Sequence, residues 1–215
     1  MPTIKILFNI KLNKFTLNTA FEIPNKKITL IKGKPGAGKT ILLKCISGLI
    51  KPNGYFKLDN KYIQNSEFNI FIPANKRKFG FVFQTPYLFP HMSCIDNLKF
   101  GYNLLKKEER KIKIEDIINS LSLEKLLTKK AIHLSGGEKQ KIVIGQAILT
   151  SPKLLLMDEP FSSLDHNNRK KISQTLKEIN ENFSLSIIYT SHVIDEIEKI
   201  TNFILNIENG EIKYF

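Results

Sequence analysis

The fold is decided by one stretch of sequence, Gly33-Lys34-Pro35-Gly36-Ala37-Gly38-Lys39-Thr40. It fits the pattern G-x-x-x-x-G-K-[ST], in which the backbone N–H groups of a glycine-rich loop surround phosphates. The loop follows an apolar run at residues 28–31 and precedes residues 41–46, whose apolar spacing predicts a helix. This order places the positive end of the helix at the phosphates. The stretch therefore predicts a phosphate-binding α/β fold.

Two side chains of this loop have chemistry of their own. Lys39 supplies a mobile cation for the β- and γ-phosphates of a nucleotide, and Thr40 offers a hydroxyl to Mg²⁺. The alternative is a glycine-rich turn with a coincidental lysine, and the flanking strand and helix argue against it. The loop thus predicts a site for a nucleoside triphosphate and Mg²⁺.

The hydrophobic pattern on either side of the loop is that of strands. Residues 4–10 and 15–23 alternate with a period of two, which predicts an antiparallel pair. Residues 51–83 contain short apolar runs separated by turns, and they end in a run at 79–83 just before Gln84. We therefore expect an antiparallel β region beside the phosphate-binding strand.

Residues 93–150 have helical spacing instead. Ser93 is a plausible cap, and an apolar stripe is formed by Ile114, Ile117, Ile118 and Leu121. Buried strands then return at 154–157 and 185–190, with a polar helix at 168–182 between them. A short helix after His192 and a hairpin through Asn209-Gly210 are expected to end the chain.

These patterns predict a single domain of two parts. Residues 1–84 and 151–215 are expected to form a nucleotide-binding α/β core with an antiparallel β subdomain, and residues 85–150 an inserted helical subdomain. A ligand of an open α/β sheet binds at the carboxyl ends of the strands. Gln84, Asp158 and His192 each follow such a strand, which makes them candidates for one site.

Asp158 and Glu159 follow the buried strand predicted at 154–157. A carboxylate in this position can hold Mg²⁺, directly or through water. Because successive side chains of an extended segment point to different sides, Asp158 is expected at the metal and Glu159 at the water that attacks the γ-phosphate. The alternative of two solvated acids at a strand end is disfavoured by the phosphate loop upstream.

The composition gives a second hypothesis about partners. The chain has 215 residues, 42% hydrophobic and 25% charged, and a formal charge of +13 that favours nucleic acid or an anionic membrane surface. Arg77, Arg110 and Arg169 are the only arginines, so 30 of the 33 basic residues are lysines, scattered through a chain with 31 Ile and 19 Asn. This scatter favours a compositional bias over a binding patch. Cys45 and Cys94 are expected to be buried free thiols.

A second glycine-rich motif is Leu134-Ser135-Gly136-Gly137-Glu138, which opens a helix. From its residues it predicts either a second anion site at a helix N-terminus or a helix start with a flexible cap.

In this order the motifs resemble those of the ATP-binding subunit of ABC transporters, over nearly the whole chain. The family's Walker A is matched by Gly33 to Thr40, its glutamine loop by Gln84 and its signature by Leu134 to Glu138. Its remaining motifs correspond to Leu154 to Glu159 (Walker B), Ser162-Ser163-Leu164-Asp165 (D-loop) and His192 (switch histidine). The resemblance implies an α/β P-loop, RecA-like cassette with an antiparallel β subdomain and an inserted α-helical subdomain.

The resemblance also implies a mechanism. Two copies pair head to tail, and the signature of one, Ser135 to Glu138, contacts the ATP bound by the phosphate loop of the other. Glu159 is implied as the general base, His192 as the sensor of the γ-phosphate and Gln84 as a residue of the catalytic set. Mg²⁺ is implied at Thr40, Gln84 and Asp158. Further nucleotide contacts are implied for Phe15, which stacks on the adenine, for residues 33–40, and for Ile41 and Asp165.

Softer features are similar to importer ATPases for inorganic anions and iron, most of all molybdate or tungstate importers. They are residues 14–18, 76–84, 88–91, 97–101, 134–140 and 147–150. The implied partners are transmembrane permease subunits and, indirectly, a periplasmic or lipid-anchored binding protein. The implied place is the cytoplasmic face of the inner membrane, as a peripheral protein, and no nucleic acid is expected. ABC ATPases for iron, sulfate or polyamines, exporters, and ABC proteins acting on nucleic acid are the alternatives.

Three further expectations concern the two ends of the chain and two positions at which it differs from the family pattern. The start of the chain has no apolar run typical of a secretory signal, and no window approaches the roughly 18 apolar residues of a membrane span. The chain stops five residues after Asn209-Gly210, so a C-terminal domain that senses oxyanions is not expected. Lys141 and Gln146 stand where the family usually has arginine, which either loosens the signature helix or reflects drift.

Overall fold

The computed structural model describes residues 2–162, 164–192 and 200–213, and its strands and helices have the predicted α/β order. The strands are β1 (Thr3–Leu12), β2 (Phe15–Pro24), β3 (Ile28–Lys32), β4 (Asn53–Leu58), β5 (Lys61–Asn65), β6 (Ile70–Phe71), β7 (Gly80–Val82), β8 (Leu154–Met157), β9 (Ser186–Ser191), β10 (Phe203–Glu208) and β11 (Glu211–Lys213). The α-helices are α1 (Lys39–Ser47), α2 (Cys94–Asn103), α3 (Ile114–Leu121), α4 (Gly136–Leu149) and α5 (His166–Phe183).

A six-stranded sheet carries the phosphate loop. Its order is β11-β10-β3-β9-β8-β7, and all neighbours pair in parallel except β11 with β10. Every residue of β8 and β9 is buried, as expected for strands covered on both faces. Because the strands are parallel, the segments after β3, β7, β8 and β9 meet at one edge of the sheet. This is the edge at which the sequence predicted the site.

The predicted antiparallel region is a five-stranded sheet of order β2-β1-β4-β5-β6. In β1 and β2 the buried residues alternate with exposed ones, and cross-strand partners such as Ile6 and Phe21 share the buried face. That face joins one hydrophobic core with the buried side of α1, including Leu42 and Ile46. The helix that follows the phosphate loop is therefore held between the two sheets.

The helical region lies between β7 and β8 in the chain. The Ser93 side chain caps α2 by accepting from the Asp96 N–H at 3.2 Å. In α3, Ile114, Ile117 and Leu121 are buried in a second core with α4, while Ile118 is half-buried at its edge. The predicted domain boundaries at 84/85 and 150/151 stay a prediction.

The hairpin predicted through Asn209-Gly210 is confirmed, since it joins β10 to β11 with both residues at positive φ. The short helix predicted after His192 falls on residues 193–199, outside the described ranges, as does Ser163 of the D-loop motif. Among residues 2–162, 164–192 and 200–213, none of the helices combines the length and apolar character needed to cross a bilayer.

Candidate functional site

The phosphate loop joins β3 to α1 and leaves the start of that helix without a side-chain cap. Gly38 is the N-cap residue, with φ of 105°, and the first turn of α1 contains no acidic residue. A Cβ on Gly38 would lie 2.5 Å from Cζ of Phe15, so only glycine fits this position. The uncapped first turn is the arrangement that a phosphate-binding helix needs.

Lys39 is folded back into the loop. Its side chain is 7% exposed, and its Nζ donates to the carbonyl oxygens of Gly33 at 2.7 Å and Lys34 at 3.3 Å. The same Nζ lies 3.2 Å from Oε1 of Glu159. The loop and the acidic segment after β8 are therefore joined through one cation.

Asp158 is buried, and two threonine hydroxyls donate to its carboxylate. Thr40 donates to Oδ2 at 2.7 Å and Thr190 donates to Oδ1 at 2.8 Å. The backbone N–H of Asp158 donates to the carbonyl of Val82 at 2.9 Å, which fixes the acid against the end of β7. A carboxylate next to a hydroxyl is a pair of hard oxygen ligands, so Thr40 and Asp158 fit Mg²⁺. Within the described ranges, no three or more His, Cys, Asp or Glu side chains are grouped in a way that could hold a metal ion.

The extended backbone predicted at Glu159 is wrong. Its φ is 48°, in the left-handed region, so the segment after β8 is not extended at this residue. The turn still separates the two acids, because Glu159 faces Lys39 with one carboxylate oxygen and Nδ1 of His192 with the other. Left-handed backbone at a residue with a bulky side chain is strained and is common at functional sites.

A cavity of about 310 Å³ opens at this edge of the sheet. Its lining residues are Pro35, Gly36, Gly38, Lys39, Thr40, Ile41, Gln84, Glu159 and His192. The structure thus brings together predicted residues that are more than 150 positions apart in the chain. Gly33, Lys34 and Ala37 complete the loop around it, and Phe15 lies against Gly38 at its margin.

The signature residues Ser135 to Glu138 do not line this cavity. Ser135 is the N-cap of α4; it accepts from the Glu138 N–H at 3.3 Å, and its own N–H donates to Glu138 Oε2 at 2.8 Å. That second bond is the main reason why the pKa of Glu138 is lower than usual. Ser135 and Gly136 are exposed, and a Cβ on Gly136 would meet no atom within 4 Å.

Asp165 and the two departures from the family pattern lie on neighbouring helices. Asp165 is the N-cap of α5 and accepts from the Asn168 N–H at 2.9 Å, which lowers the pKa of Asp165. Lys141 and Gln146 are half-buried on α4. Burial and the nearby Lys171 lower the pKa of Lys141, and the charge of Asp165 opposes that shift.

Thr190 was not singled out from the sequence. It is fully buried near the end of β9, donates to Asp158 and accepts from the N–H of Glu159 at 3.0 Å. It therefore holds both acids at once. The signal available was a hydroxyl residue at the end of a buried strand, which many strands have.

Comparison with known proteins agrees with this geometry. The model of the ABC transporter family matches residues 17–162, more than half of the chain. A "Molybdenum import ATP-binding protein ModC" from Hahella chejuensis is 38% identical over 93% of this chain, and one from Pectobacterium atrosepticum is 36% identical over 98%. The chain spans 55% and 59% of these two relatives.

Solved structures with the same fold include a subunit of the ABC transporter complex cbiONQ from Clostridium perfringens. It has a TM-score of 0.82 and 26% identity, over 98% of this chain and 86% of that one. A dimeric ATP-binding cassette in a post-hydrolysis state with ADP and Pi has a TM-score of 0.78 and 25% identity, over 100% and 97% of the two chains. With the family model and these relatives, the predicted fold class is confirmed. The chain therefore belongs to the ABC transporter family, as an ATP-binding cassette.

Proposed function

We propose that this chain is the ATP-hydrolysing subunit of an ABC importer, and that it powers the uptake of molybdate or tungstate through separate permease subunits at the cytoplasmic face of the membrane. The convergence of Lys39, Thr40, Glu159 and His192 at one cavity carries the proposal of ATP hydrolysis. Asp158 lies next to them and accepts a hydrogen bond from Thr40. The substrate rests on relatives named for molybdenum import, at 33–38% identity.

ATP is the substrate of the cavity site. Its phosphates lie in the loop from Gly33 to Thr40, where Lys39 exchanges its ion pair with Glu159 for the β- and γ-phosphates. Mg²⁺, held by Thr40 and Asp158, neutralises charge on the phosphates when bound. Glu159 then accepts a proton from the attacking water, and His192 holds the carboxylate from its other side.

The second half of each site comes from another copy of the chain. Ser135 and Gly137 of that copy are proposed to contact the γ-phosphate, with Glu138 completing the signature and Asp165 at the D-loop between the two copies. The exposure of Ser135 and Gly136, away from this chain's own cavity, supports a role across an interface. The dimeric cassette with ADP and Pi has the same fold.

The permease is proposed to dock beside Gln84. Three aromatic side chains between β7 and the end of α2 are unusually exposed, namely Tyr87 at 68%, Phe89 at 37% and Phe100 at 46%. The rings of Phe89 and Phe100 are 4.5 Å apart, so they form one apolar patch. Because Gln84 lines the ATP cavity and lies three residues before Tyr87, closure around ATP is transmitted to this patch.

The substitution Glu159→Gln tests the catalytic role. It removes the base and leaves the shape of the site, so steady-state hydrolysis is expected to fall by about a hundredfold or more while ATP stays bound and the dimer stays closed. Hydrolysis is measured by phosphate release, and the dimer by gel filtration with Mg-ATP. Glu124→Gln, an exposed glutamate of the helical region, is the matched control. Full hydrolysis by the Glu159→Gln protein would contradict the assignment.

The substrate is tested separately, in vesicles that contain this chain with its permease and binding protein. Molybdate or tungstate is expected to stimulate ATP hydrolysis, and sulfate and ferric iron are not. Stimulation by sulfate or iron alone would mean that the transported substrate is a different one, while the assignment of ATP hydrolysis would stand. Tight, steeply salt-dependent binding of RNA or DNA by the isolated chain would favour a nucleic-acid function instead.

A further inference from the structure

The turn between β10 and β11 lies directly against the phosphate loop, although it is more than 170 residues away in the chain. The N–H of Gly210 donates to the carbonyl of Ala37 at 3.0 Å, and the carbonyl of Gly210 accepts from the N–H of Asn18, also at 3.0 Å. A single residue therefore links the phosphate loop to β2, the strand that begins with Phe15.

Only glycine fits this position. Gly210 has φ of 83°, in the left-handed region, and a Cβ on it would lie 2.1 Å from the carbonyl oxygen of Thr16. A side chain would push the turn away from β2 and from Ala37 at the same time. The positive φ is what a two-residue hairpin turn requires, whereas the close approach to Thr16 comes from the packing of the turn against β2.

Other contacts place the loop between the same two elements. A Cβ on Gly33 would lie 2.5 Å from the carbonyl oxygen of Ile207 in β10, and the ring of Phe15 lies against Gly38. The loop is thus contacted at its start by β10, near its end by Phe15 of β2, and at Ala37 by the turn between β10 and β11.

The bond to Ala37 has a direct consequence for phosphate binding. In a trans peptide unit the C=O and the following N–H point in opposite directions. When Gly210 holds the carbonyl of Ala37, the N–H of Gly38 is turned away from Gly210. Gly38 lines the ATP cavity, which the turn residue Gly210 does not. The hydrogen bond therefore aims a loop N–H toward the side on which the phosphates are proposed to lie.

We propose that Gly210 is a positioning residue of the nucleotide site, which fixes the peptide between Ala37 and Gly38 for phosphate and locks it to the strand that carries Phe15. This inference rests on the proposed function. The C-terminal hairpin is thereby part of the ATP site and not only the edge of the sheet.

The test compares nucleotide affinity in variants with matched strain. Gly210→Ala is expected to raise the dissociation constant for a fluorescent ATP analogue with Mg²⁺ by about tenfold. Gly54→Ala is the control, since Gly54 has φ of 102° and its Cβ would also lie 2.1 Å from a carbonyl oxygen, that of Leu7, but it pairs with Phe8 in the antiparallel sheet. Asn209→Gly, in the same turn, should bind like the unmodified chain.

A second pair keeps the test decisive if Gly210→Ala does not fold. Ile212→Ala loosens β11, and Ile63→Ala removes a similarly half-buried side chain from β5, three strands away from β2 in the antiparallel sheet. The first is expected to weaken binding by about threefold and the second to leave it unchanged.

Equal effects of Gly210→Ala and Gly54→Ala at equal loss of thermal stability would overturn the proposal, because the effect would then be general destabilisation. Unchanged affinity in Gly210→Ala would overturn it as well. If the unmodified chain failed to bind Mg-ATP, the proposed function itself would fail, and the inference with it.

Discussion

Two helices of this chain, α1 and α4, begin within glycine-rich motifs, but their first turns differ. The start of α1 has a glycine N-cap, no side-chain cap and no acid in the first turn. The start of α4 has a complete capping box, in which Ser135 and Glu138 each accept a backbone N–H of the other. The first leaves its orphan N–H groups for a ligand, and the second satisfies part of its own.

Their surroundings differ in the same sense. The α1 side contacts Asp158 through Thr40 and Glu159 through Lys39, so its acidic partners come from the same chain. The α4 side exposes Ser135 and Gly136 and lies outside the cavity. One half-site is therefore assembled within the chain by folding, whereas the other is exposed and, under the proposed function, is completed by a second copy.

The substitution Lys39→Ala is expected to have the largest effect, because it empties the α1 half-site of its cation. ATP hydrolysis should fall by about a hundredfold or more, and the affinity for Mg-ATP should fall with it. Lys44→Ala is the control, since Lys44 lies in the last turn of the same helix. Affinity is measured by titration calorimetry. Retained affinity in the Lys39→Ala protein would mean that this helix start does not bind the phosphates.

Gly136→Asp tests whether the start of α4 acts on a different bound nucleotide from the start of α1. The open space around Gly136 accepts the side chain, and an acid in the first turn suits the helix dipole, so the fold is retained. A charge there repels a γ-phosphate held by the other copy, and hydrolysis should fall roughly thirtyfold, about 2 kcal/mol in activation free energy.

In the same Gly136→Asp protein, Mg-ATP affinity of the monomer should stay within error, which calorimetry at low protein concentration checks. Gly136→Ala is the uncharged control and should remain active. If the Asp variant lost monomer affinity as much as activity, the two helix starts would belong to one site within the chain.

Thr190→Val tests the hydrogen bonds that hold the two acids of the α1 half-site. The valine keeps the buried shape but removes the hydroxyl that bonds Asp158 and Glu159, so the rate should fall roughly fivefold, about 1 kcal/mol. Thr29→Val is the control, because the hydroxyl of this fully buried threonine has no hydrogen-bond partner within the part of the chain that the structure describes. That control should be active and at least as stable to urea. Equal rates of hydrolysis for both variants would show that the Thr190 hydroxyl has no role in the site.

Most elements of the α1 half-site could be predicted from the sequence. Three groups of elements follow from local sequence pattern, and the structure confirms them. They are the strand, glycine loop and helix around Gly33–Thr40, the parallel strands before Asp158 and His192, and the antiparallel pair β1–β2. Their common edge follows from the parallel direction of the strands. Local patterning was enough because each of these elements buries a face that its own sequence specifies.

What the sequence did not predict depends on contacts between distant segments. The hydroxyl of Thr190 and the backbone of Gly210 act through residues more than 30 and 170 positions away, and neither belongs to a motif at fixed spacing. The left-handed turn at Glu159 was missed for a related reason. An acid after an apolar strand predicts an extended continuation, and tertiary bonds to Thr190, Lys39 and His192 hold a different one.

The smallest effect concerns the charge that distinguishes α4 from α1. The Ser135 N–H bonded to Glu138 holds the pKa of that carboxyl below its usual range, so the ionised group stabilises the fold. That stabilisation is present above the unfolded pKa of about 4.3 and is lost as the pH falls through the lower folded value. Glu138→Gln keeps an acceptor for the cap but has no charge, so it should be less stable by about 0.5 kcal/mol at pH 7 and equal to the unmodified chain near pH 3.

Urea midpoints across this range measure the difference, with Glu115→Gln, an exposed acid in the first turn of α3, as the control. A constant gap between the Glu138 variant and the unmodified chain at every pH would show that the cap acts through its hydrogen bonds alone, and that charge does not set the two helix starts apart.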